Sequence, residues 1–375
     1  MRRRARAAHG WGWWLPQVAL LLALAGLVLV VARTVSDNME RQDMVLSLGF
    51  LRSTAEFPIA ESFLAYAPGD TIAWAFVVGL GNSIALTLLI IVLSTMAGVP
   101  IALARHSGHM LARTLAGGFV DLVRNVPLVV QLLFWYGVIL MAFPPARAAA
   151  QPLPGLFLTN RGITVTTVGI TGTALPMIVT VLGGLTLTLI TAWRGHLHKA
   201  SLCTLGTIVA GSALWIVLDL GLARDVPHFD RFNFTGGLTL TPEFVAVLWG
   251  SVIYASAFAA EIVRGGLDGV PRGQWEASRA LGLSKRQSLR LVIVPQALRM
   301  IVPPMNSQFI TILKNSTLAL VVGYPDLNFV ANTAINHTGQ GLEGVAILML
   351  VFFTLASAIS LAMNRLNARV QRGGA

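Results

Sequence analysis

Charged side chains are scarce in this sequence. Asp, Glu, Lys and Arg make up 11% of its 375 residues and hydrophobic residues 55%, where an ordinary soluble domain carries about 25% charge. With a mean hydropathy of +0.71, the chain cannot keep its surface in water, which excludes a soluble globular protein. The net charge of +11 invites a nucleic-acid partner, but that function needs basic side chains on a solvated face. Here they punctuate apolar runs, so no nucleic acid is expected. A single cysteine, Cys203, excludes an intramolecular disulfide, and seven histidines without cysteine partners give no structural zinc pattern. The pairs His106 and His109, and His196 and His198, sit beside Arg or Lys at the ends of apolar runs, so no metal site is expected. No histidine lies in the middle of an apolar run, which argues against a Ser/His intramembrane enzyme. The lysines are Lys199, Lys285 and Lys314, preceded by His198, Ser284 and Leu313. None belongs to a Gly-Lys-Ser/Thr loop that would cradle a phosphate, so no cofactor is expected to be bound by this chain. No internal repeat is visible.

What the sequence does have is long apolar segments. Crossing about 30 Å of hydrocarbon takes roughly 17–25 residues as a helix. Eight runs qualify, near 15–32, 80–104, 116–143, 174–192, 202–220, 242–263, 301–323 and 343–363. The first follows Arg2, Arg3, Arg4 and Arg6 and so mimics a signal peptide. Its length of 18 residues exceeds the roughly 7–15 of a signal core, so it reads as an uncleaved helix. Trp11, Trp13 and Trp14 then fall at the headgroup level, where indoles prefer to sit.

Sidedness follows from the basic residues, because Lys and Arg in short loops stay on the cytoplasmic side. With the amino terminus inside, 18 of the 27 basic residues fall inside, and 12 of the 16 acidic residues fall outside. Both termini are therefore expected in the cytoplasm. The connections 33–79 and 144–173 then lie outside and 264–300 inside. The division expected is an N-terminal membrane helix with an outer loop over 1–79, and a second region over 80–375 with an outer insertion near 144–173.

The inner loop has the punctuation of two short helices. Pro271 and Gly273 precede a stretch in which Ala277, Ala280 and Leu281 share one face at i, i+3 and i+4. Gly282 stands where a glycine just past a helix end would stop it. Ser284 and Gln287 form a Ser-x-x-Gln capping box that opens a second helix toward Pro295. An amphipathic helix lying on the inner leaflet is the competing reading. It would carry a broad stripe of Phe, Leu or Trp, whereas small residues permit close approach in a protein groove.

These residues also carry a resemblance. Glu276, Ala277, Gly282 and Ile293-Val294-Pro295 resemble the EAA motif of ABC-importer permeases at the family's spacing, with Ser278 where a second alanine is usual and Val294 where leucine often precedes the proline. Glu261-Ile262-Val263-Arg264, Pro295-Gln296-Ala297-Leu298-Arg299, Pro303-Pro304, the run Lys314 to Ala319, Arg124-Asn125-Val126-Pro127 and Gln131 resemble the polar-amino-acid branch. Asn160-Arg161-Gly162 and Phe232-Asn233-Phe234 resemble the long-form permeases of general L-amino-acid and glutamate/glutamine/aspartate/asparagine importers. Residues 33–79 and 163–225 carry little of the likeness.

The resemblance implies an all-α polytopic protein of about eight transmembrane helices with a type I importer core, in the bacterial inner membrane. It implies that 80–375 is the permease domain. It implies a coupling helix formed by Trp275, Glu276, Ala277, Ala280, Leu281 and Gly282 that docks on a cytoplasmic ABC ATPase dimer, where ATP and Mg are used by the partner. A second permease subunit, related but a different chain, and a periplasmic solute-binding protein that delivers the amino acid complete the assembly in membrane lipid.

Polar groups at membrane depth cost at least about 2.5–3.5 kcal/mol when charged, so they face partners, cavities or water. Arg124 lies i+3 from Asp121, and Glu261 is i+3 from Arg264; an interfacial salt bridge explains each pair without a substrate. Lys314 is about 22 Å along a helix from Arg299 and is followed by Asn315, Ser316 and Thr317. With Gln131, these are candidates for a hydrated translocation path, the alternative being a structural cluster that bonds neighbouring helices. An ion- or proton-coupled secondary transporter is the rival function, since it too uses intramembrane polar residues but needs no docking loop.

Overall fold

The computed structural model describes residues 14–41, 47–171, 180–181, 183–188, 191, 197–217 and 221–372. The apolar runs fold as helices: α1 Trp14–Arg41, α2 Ile72–Arg105, α3 Met110–Asn125, α4 Leu128–Ala142, α5 Leu197–Val217, α6 Pro242–Asp268, α7 Arg272–Ala280, α8 Lys285–Ser288, α9 Val294–Asn315, α10 Leu327–Thr338 and α11 Gly341–Arg372. Among the described residues, α1, α2, α6 and α11 are each long and apolar enough to cross a membrane, and the number rises to as many as six when each of two bent helix pairs counts as one span. Helix α5 covers the run expected at 202–220, starting earlier, and residues 218–220 lie outside the described residues. The run expected at 174–192 lies largely outside them too; 180–181, 183–188 and 191 are helical.

Three spans differ from expectation, each for a physical reason. Helix α2 begins at Ile72, not near 80. Its first turns are covered by protein: Ile72, Ala75, Phe76 and Val78 are buried with Ala55, Phe57, Leu327, Val330 and Ala331. A helix of 34 residues is about 50 Å long, so α2 reaches past any hydrocarbon layer into this packed cap.

The run expected as one span over 116–143 is two helices, α3 and α4, meeting at 103°. Pro127 lacks the N–H that an uninterrupted helix needs and pushes Val126 to extended backbone (φ −96°, ψ 125°). The run expected over 301–323 is also broken. Helix α9 starts directly from the 264–300 loop and runs through Pro303 and Pro304, then tightens into a 3₁₀ segment, Ser316–Val322. Gly323 (φ +84°) turns the chain, Asp326 caps α10 by accepting from the Phe329 N–H at 2.8 Å, and the two halves are bent by 54°.

Helices α2 and α6 run side by side in the same direction. They pack tightly at Gly98, where a Cβ would lie 2.7 Å from that of Ala259 and 3.0 Å from the Ala260 nitrogen and the Ser256 carbonyl. Leu86, Ile90, Leu132, Phe244 and Tyr324 form the core beside this crossing.

The starts of α2 and α6 share one end of the bundle with a small β layer that the sequence reading did not foresee. Strands β1 Ala150–Leu153, β2 Leu156–Thr159, β3 Gly162–Val165 and β8 Leu238–Leu240 form one antiparallel sheet in that order. Strand β4 Thr167–Thr171 pairs with β5 Gly221–Asp225, and β6 His228–Asp230 with β7 Asn233–Thr235. At three to five residues each, these strands are too short to show alternation. Gly162 (φ +113°) turns β2 into β3 with the Leu240 carbonyl where a side chain would be. The protein is therefore mostly helical, as expected, and among the described residues the β strands lie at this end.

Candidate functional site

The candidate site is the opposite end, where α2 and α6 finish and the 264–300 segment folds against them. Helix α7 starts at Pro271 and closes with a Schellman turn: the Leu283 N–H donates to Ser278 O at 3.1 Å and the Gly282 N–H to Arg279 O at 2.9 Å. Gly282 takes φ +74°, which a residue with a Cβ adopts only at a cost. The capping box is formed as read: the Ser284 N–H donates to Gln287 Oε1 at 2.9 Å and the Gln287 N–H to Ser284 Oγ at 3.4 Å. Helix α8 then passes through a π turn, Leu289–Ile293, into α9.

These caps fix which face of α7 is inside. Ser278 is buried, its Oγ donating to Trp275 O at 2.9 Å, so a small side chain suits the position. Trp275 is half-buried and packs inward with Val270 and Ile293. Glu276, Ala277, Ala280, Leu281 and Gly282 point out, and Leu281 is 78% exposed. Of the residues expected to couple, Trp275 therefore anchors the helix, and the others form an open face with small side chains at its centre.

Behind α7 lies a cluster of charges that spacing alone did not assemble. Glu261 of α6 pairs with Arg264 and with Arg105 of α2, and Arg124 Nη1 of α3 is 4.0 Å away. The i+3 pairing of Glu261 with Arg264 is as read. The pairing of Arg124 with Asp121 is not: Arg124 turns to Glu261 and covers the Phe258 ring, 5.1 Å from its centroid. Glu261 is part-buried and Asp121 exposed, so water screens the attraction to Glu261 less. Arg264 also donates to Asp268 Oδ2 at 2.7 Å, and Asp268 Oδ1 is 3.1 Å from His106 Nδ1. The His106 ring lies on that of Trp275, with centroids 6.1 Å apart and planes 28° apart. Sequence reasoning missed Arg105, His106 and Asp268 as members. The available signal was that Glu261, Arg264 and Asp268 share a helix face at i, i+3 and i+7.

The residues expected along a translocation path do not stay together. Gln131 is 8% exposed, and its amide nitrogen donates to Val123 O at 2.9 Å and Val126 O at 3.0 Å. It caps the carbonyls freed at the α3–α4 elbow, so that nitrogen is committed to structure. Ser316 is buried and bonds Leu313 O at 2.8 Å, while Thr317 bonds Lys314 O at 2.7 Å. Asn315 lines a small cleft with Gln308, Ser251 and Tyr254, three polar residues the sequence reading did not single out. Lys314 is exposed in the last turn of α9 and has no carboxylate partner among the described residues.

At the β-layer end, Glu61 is half-buried and accepts a hydrogen bond from Thr241 Oγ1. Burial pushes its carboxyl above the ordinary value of 4.5, against the opposing effect of the Thr241 hydroxyl.

The arrangement, a helical bundle with two of its apolar runs broken and a capped helix displayed at one end, has known relatives. A family model described as "Binding-protein-dependent transport system inner membrane component" matches residues 94–372, and the chain belongs to that family. It is 35% identical to the YhdX protein of Escherichia coli (strain K12), over 95% of this chain and 93% of that one. It is 34% identical to the general L-amino acid transport system permease protein AapQ of Rhizobium johnstonii, over 94% and 91% of the two chains. With the glutamate/glutamine/aspartate/asparagine transport system permease protein BztB of Rhodobacter capsulatus the identity is 32%, over 94% and 92%. Among solved structures, a chain of an amino acid ABC transporter crystallised with histidines aligns over 79% of this chain and 94% of its own, with 22% identity and a TM-score of 0.49.

Proposed function

We propose that this chain is the permease subunit of an ATP-driven ABC importer for polar L-amino acids, in the inner membrane. ATP and Mg are used by a separate cytoplasmic ATPase dimer on which α7 docks. A second permease, related but a different chain, completes the membrane pore, and a periplasmic solute-binding protein delivers the amino acid to the β-layer end. The observation that carries this reading is the open face of α7. Among the described residues, Ala277, Ala280 and Leu281 have no partner surface, yet the helix that presents them is capped at its C-terminal end and anchored by Trp275 and Ser278. A helix held this firmly with small side chains outermost fits a protein groove. Family membership and the full-length relatives support the importer, and their printed substrates support the amino-acid class.

The test is Ala277→Arg. Placing bulk and charge in the docking contact is expected to abolish uptake in membranes containing the whole complex, with the permease still inserted and the ATPase no longer co-purifying. Unchanged uptake and co-purification would remove the docking reading. The orientation is tested separately by single cysteines in a Cys203→Ser background. A cysteine at exposed Ser53 is expected to react with an impermeant thiol reagent in intact cells and one at exposed Ala280 is not.

A further inference from the structure

Helix α7 is tied to three helices by three different contacts. It is joined to α6 through the short link 269–271. Its Gln274 accepts a hydrogen bond from Gln296 of α9 at 3.1 Å, and Trp275 stacks on His106 at the tip of α2. The contact with α2 differs from the other two because it is made in two steps. Asp268, in the last turn of α6, holds the edge of the imidazole through Nδ1, and this sets the ring so that its face meets the indole. Asp268 is itself oriented by Arg264, and Arg264 by Glu261. Glu261 in turn receives Arg105, the residue before His106 on α2. The ends of α2 and α6 are thus linked twice within one turn, and the tryptophan of α7 rests on the outer of the two links.

We propose that His106 is the positioning residue that passes movement of α7 to α2. When the docked helix shifts, Trp275 carries the imidazole with it. The strain falls on the Asp268 contact and, through Arg264 and Glu261, on the pair that Arg105 makes. Arg124 at the α3–α4 elbow lies on the same carboxylate, so a shift at α7 reaches both α2 and the elbow. Without His106, α7 would lose its stacked contact with the tip of α2, and α2 would lag behind. This inference rests on α7 being the helix that docks on the ATPase.

The two contacts of His106 can be separated. His106→Phe keeps the ring face for Trp275 and loses the bond to Asp268. His106→Gln keeps a hydrogen-bonding group for Asp268 and loses the stack, and His106→Ala loses both. The measurement is amino acid taken up per ATP hydrolysed by the complete importer, permeases, ATPase and binding protein, in proteoliposomes. His106→Ala and His106→Gln are expected to lower that ratio about tenfold, the low end of ordinary coupling between sites, with the ATPase still bound. His106→Phe is expected to retain at least half of it, and adding His106→Ala to Trp275→Ala is expected to lower it no further than Trp275→Ala alone, because the imidazole acts on α7 through the indole that is already gone. A normal ratio in His106→Ala, additive losses in the double variant, or loss of assembled complex in all three variants would each overturn the proposal. Failure of the docking reading shows separately, as normal uptake in Ala277→Arg.

Discussion

At the β-layer end, α2 is held by buried amide and hydroxyl groups whose partners are backbone atoms; at the loop end, the same helix is held to α6 by side-chain ion pairs that reach solvent. Asn82 is fully buried. Its amide nitrogen donates to Glu61 O at 2.9 Å and Pro325 O at 2.8 Å, and its oxygen accepts from the Phe63 N–H at 3.2 Å. Ser83, also buried, accepts from the Leu327 N–H at 2.9 Å. The Glu261 cluster instead has side chains 17–40% exposed. Buried polar groups with fixed backbone partners are expensive to leave unpaired, whereas part-exposed ion pairs are individually worth little and exchange easily. The difference teaches which end is frame and which end can rearrange. Residues 61–63, α2, α10 and the start of α6 are fastened together at the β-layer end, and the contacts free to re-pair lie where α7 would be moved.

The largest effect is therefore expected from Asn82→Ala. It strands two carbonyls and one N–H in a buried site, at a cost on the order of 3 kcal/mol, without touching any residue placed in coupling. The permease should lose much of its thermal stability in detergent, read as the fraction remaining monodisperse after heating. A variant as stable as the parent would erase the distinction between the ends. Glu261→Gln is the matching change at the loop end. It removes the charge that three arginines share but keeps a polar group on a part-exposed site. The expected stability loss is smaller, about 1 kcal/mol, while uptake falls strongly with the ATPase still bound. Equal destabilisation by the two variants would mean that the loop end is frame as well.

The same contrast sets what was legible in the sequence. Features decided within one turn of helix were readable: the capping box of Ser284 and Gln287, the glycine stop at Gly282 and the Glu261–Arg264 pair all stand as read. Composition located the apolar helices. Features decided by a distant neighbour were not readable. The start of α2 was misplaced because its first apolar residues are covered by protein instead of lipid. Arg124 was given to Asp121 because Glu261 is distant in sequence. Gln131 was read as a path residue because nothing local shows that a 103° elbow leaves carbonyls in need of a donor. Proline at 127 marked the break but not its angle.

Lys314 tests the stretch between the two ends. It is an exposed cation near the end of α9, beside the Asn315 cleft, and at membrane depth an unpaired ammonium needs water, a substrate carboxylate or a neighbouring chain. Lys314→Met keeps most of the aliphatic length and deletes the charge. The complex is expected to assemble with its ATPase and to lose uptake or change its preference among amino acids in competition assays. Wild-type uptake with unchanged preference would remove Lys314 from the path and leave it as a side chain that reaches the membrane surface.

The smallest effect belongs to Glu61, a half-buried carboxylate at the β-layer end whose titration sharpens the comparison. Burial holds its carboxyl above 4.5 in the folded protein, so the folded state binds this proton more tightly than the unfolded chain does. The sign follows from linkage: the contribution to stability is fully present below 4.5 and is lost as pH rises through the higher folded value. At neutral pH the ionised group is a small liability, offset in part by the Thr241 hydroxyl. Glu61→Gln keeps an acceptor for Thr241 and removes the titration. The variant should be at least as stable as the parent at pH 7, and its melting temperature should depend less on pH over the window that begins near 4.5. An unchanged pH dependence would show that Glu61 ionises as freely as an exposed carboxylate. The tie between the outer loop and the start of α6 would then be looser than the backbone-bonded frame around Asn82.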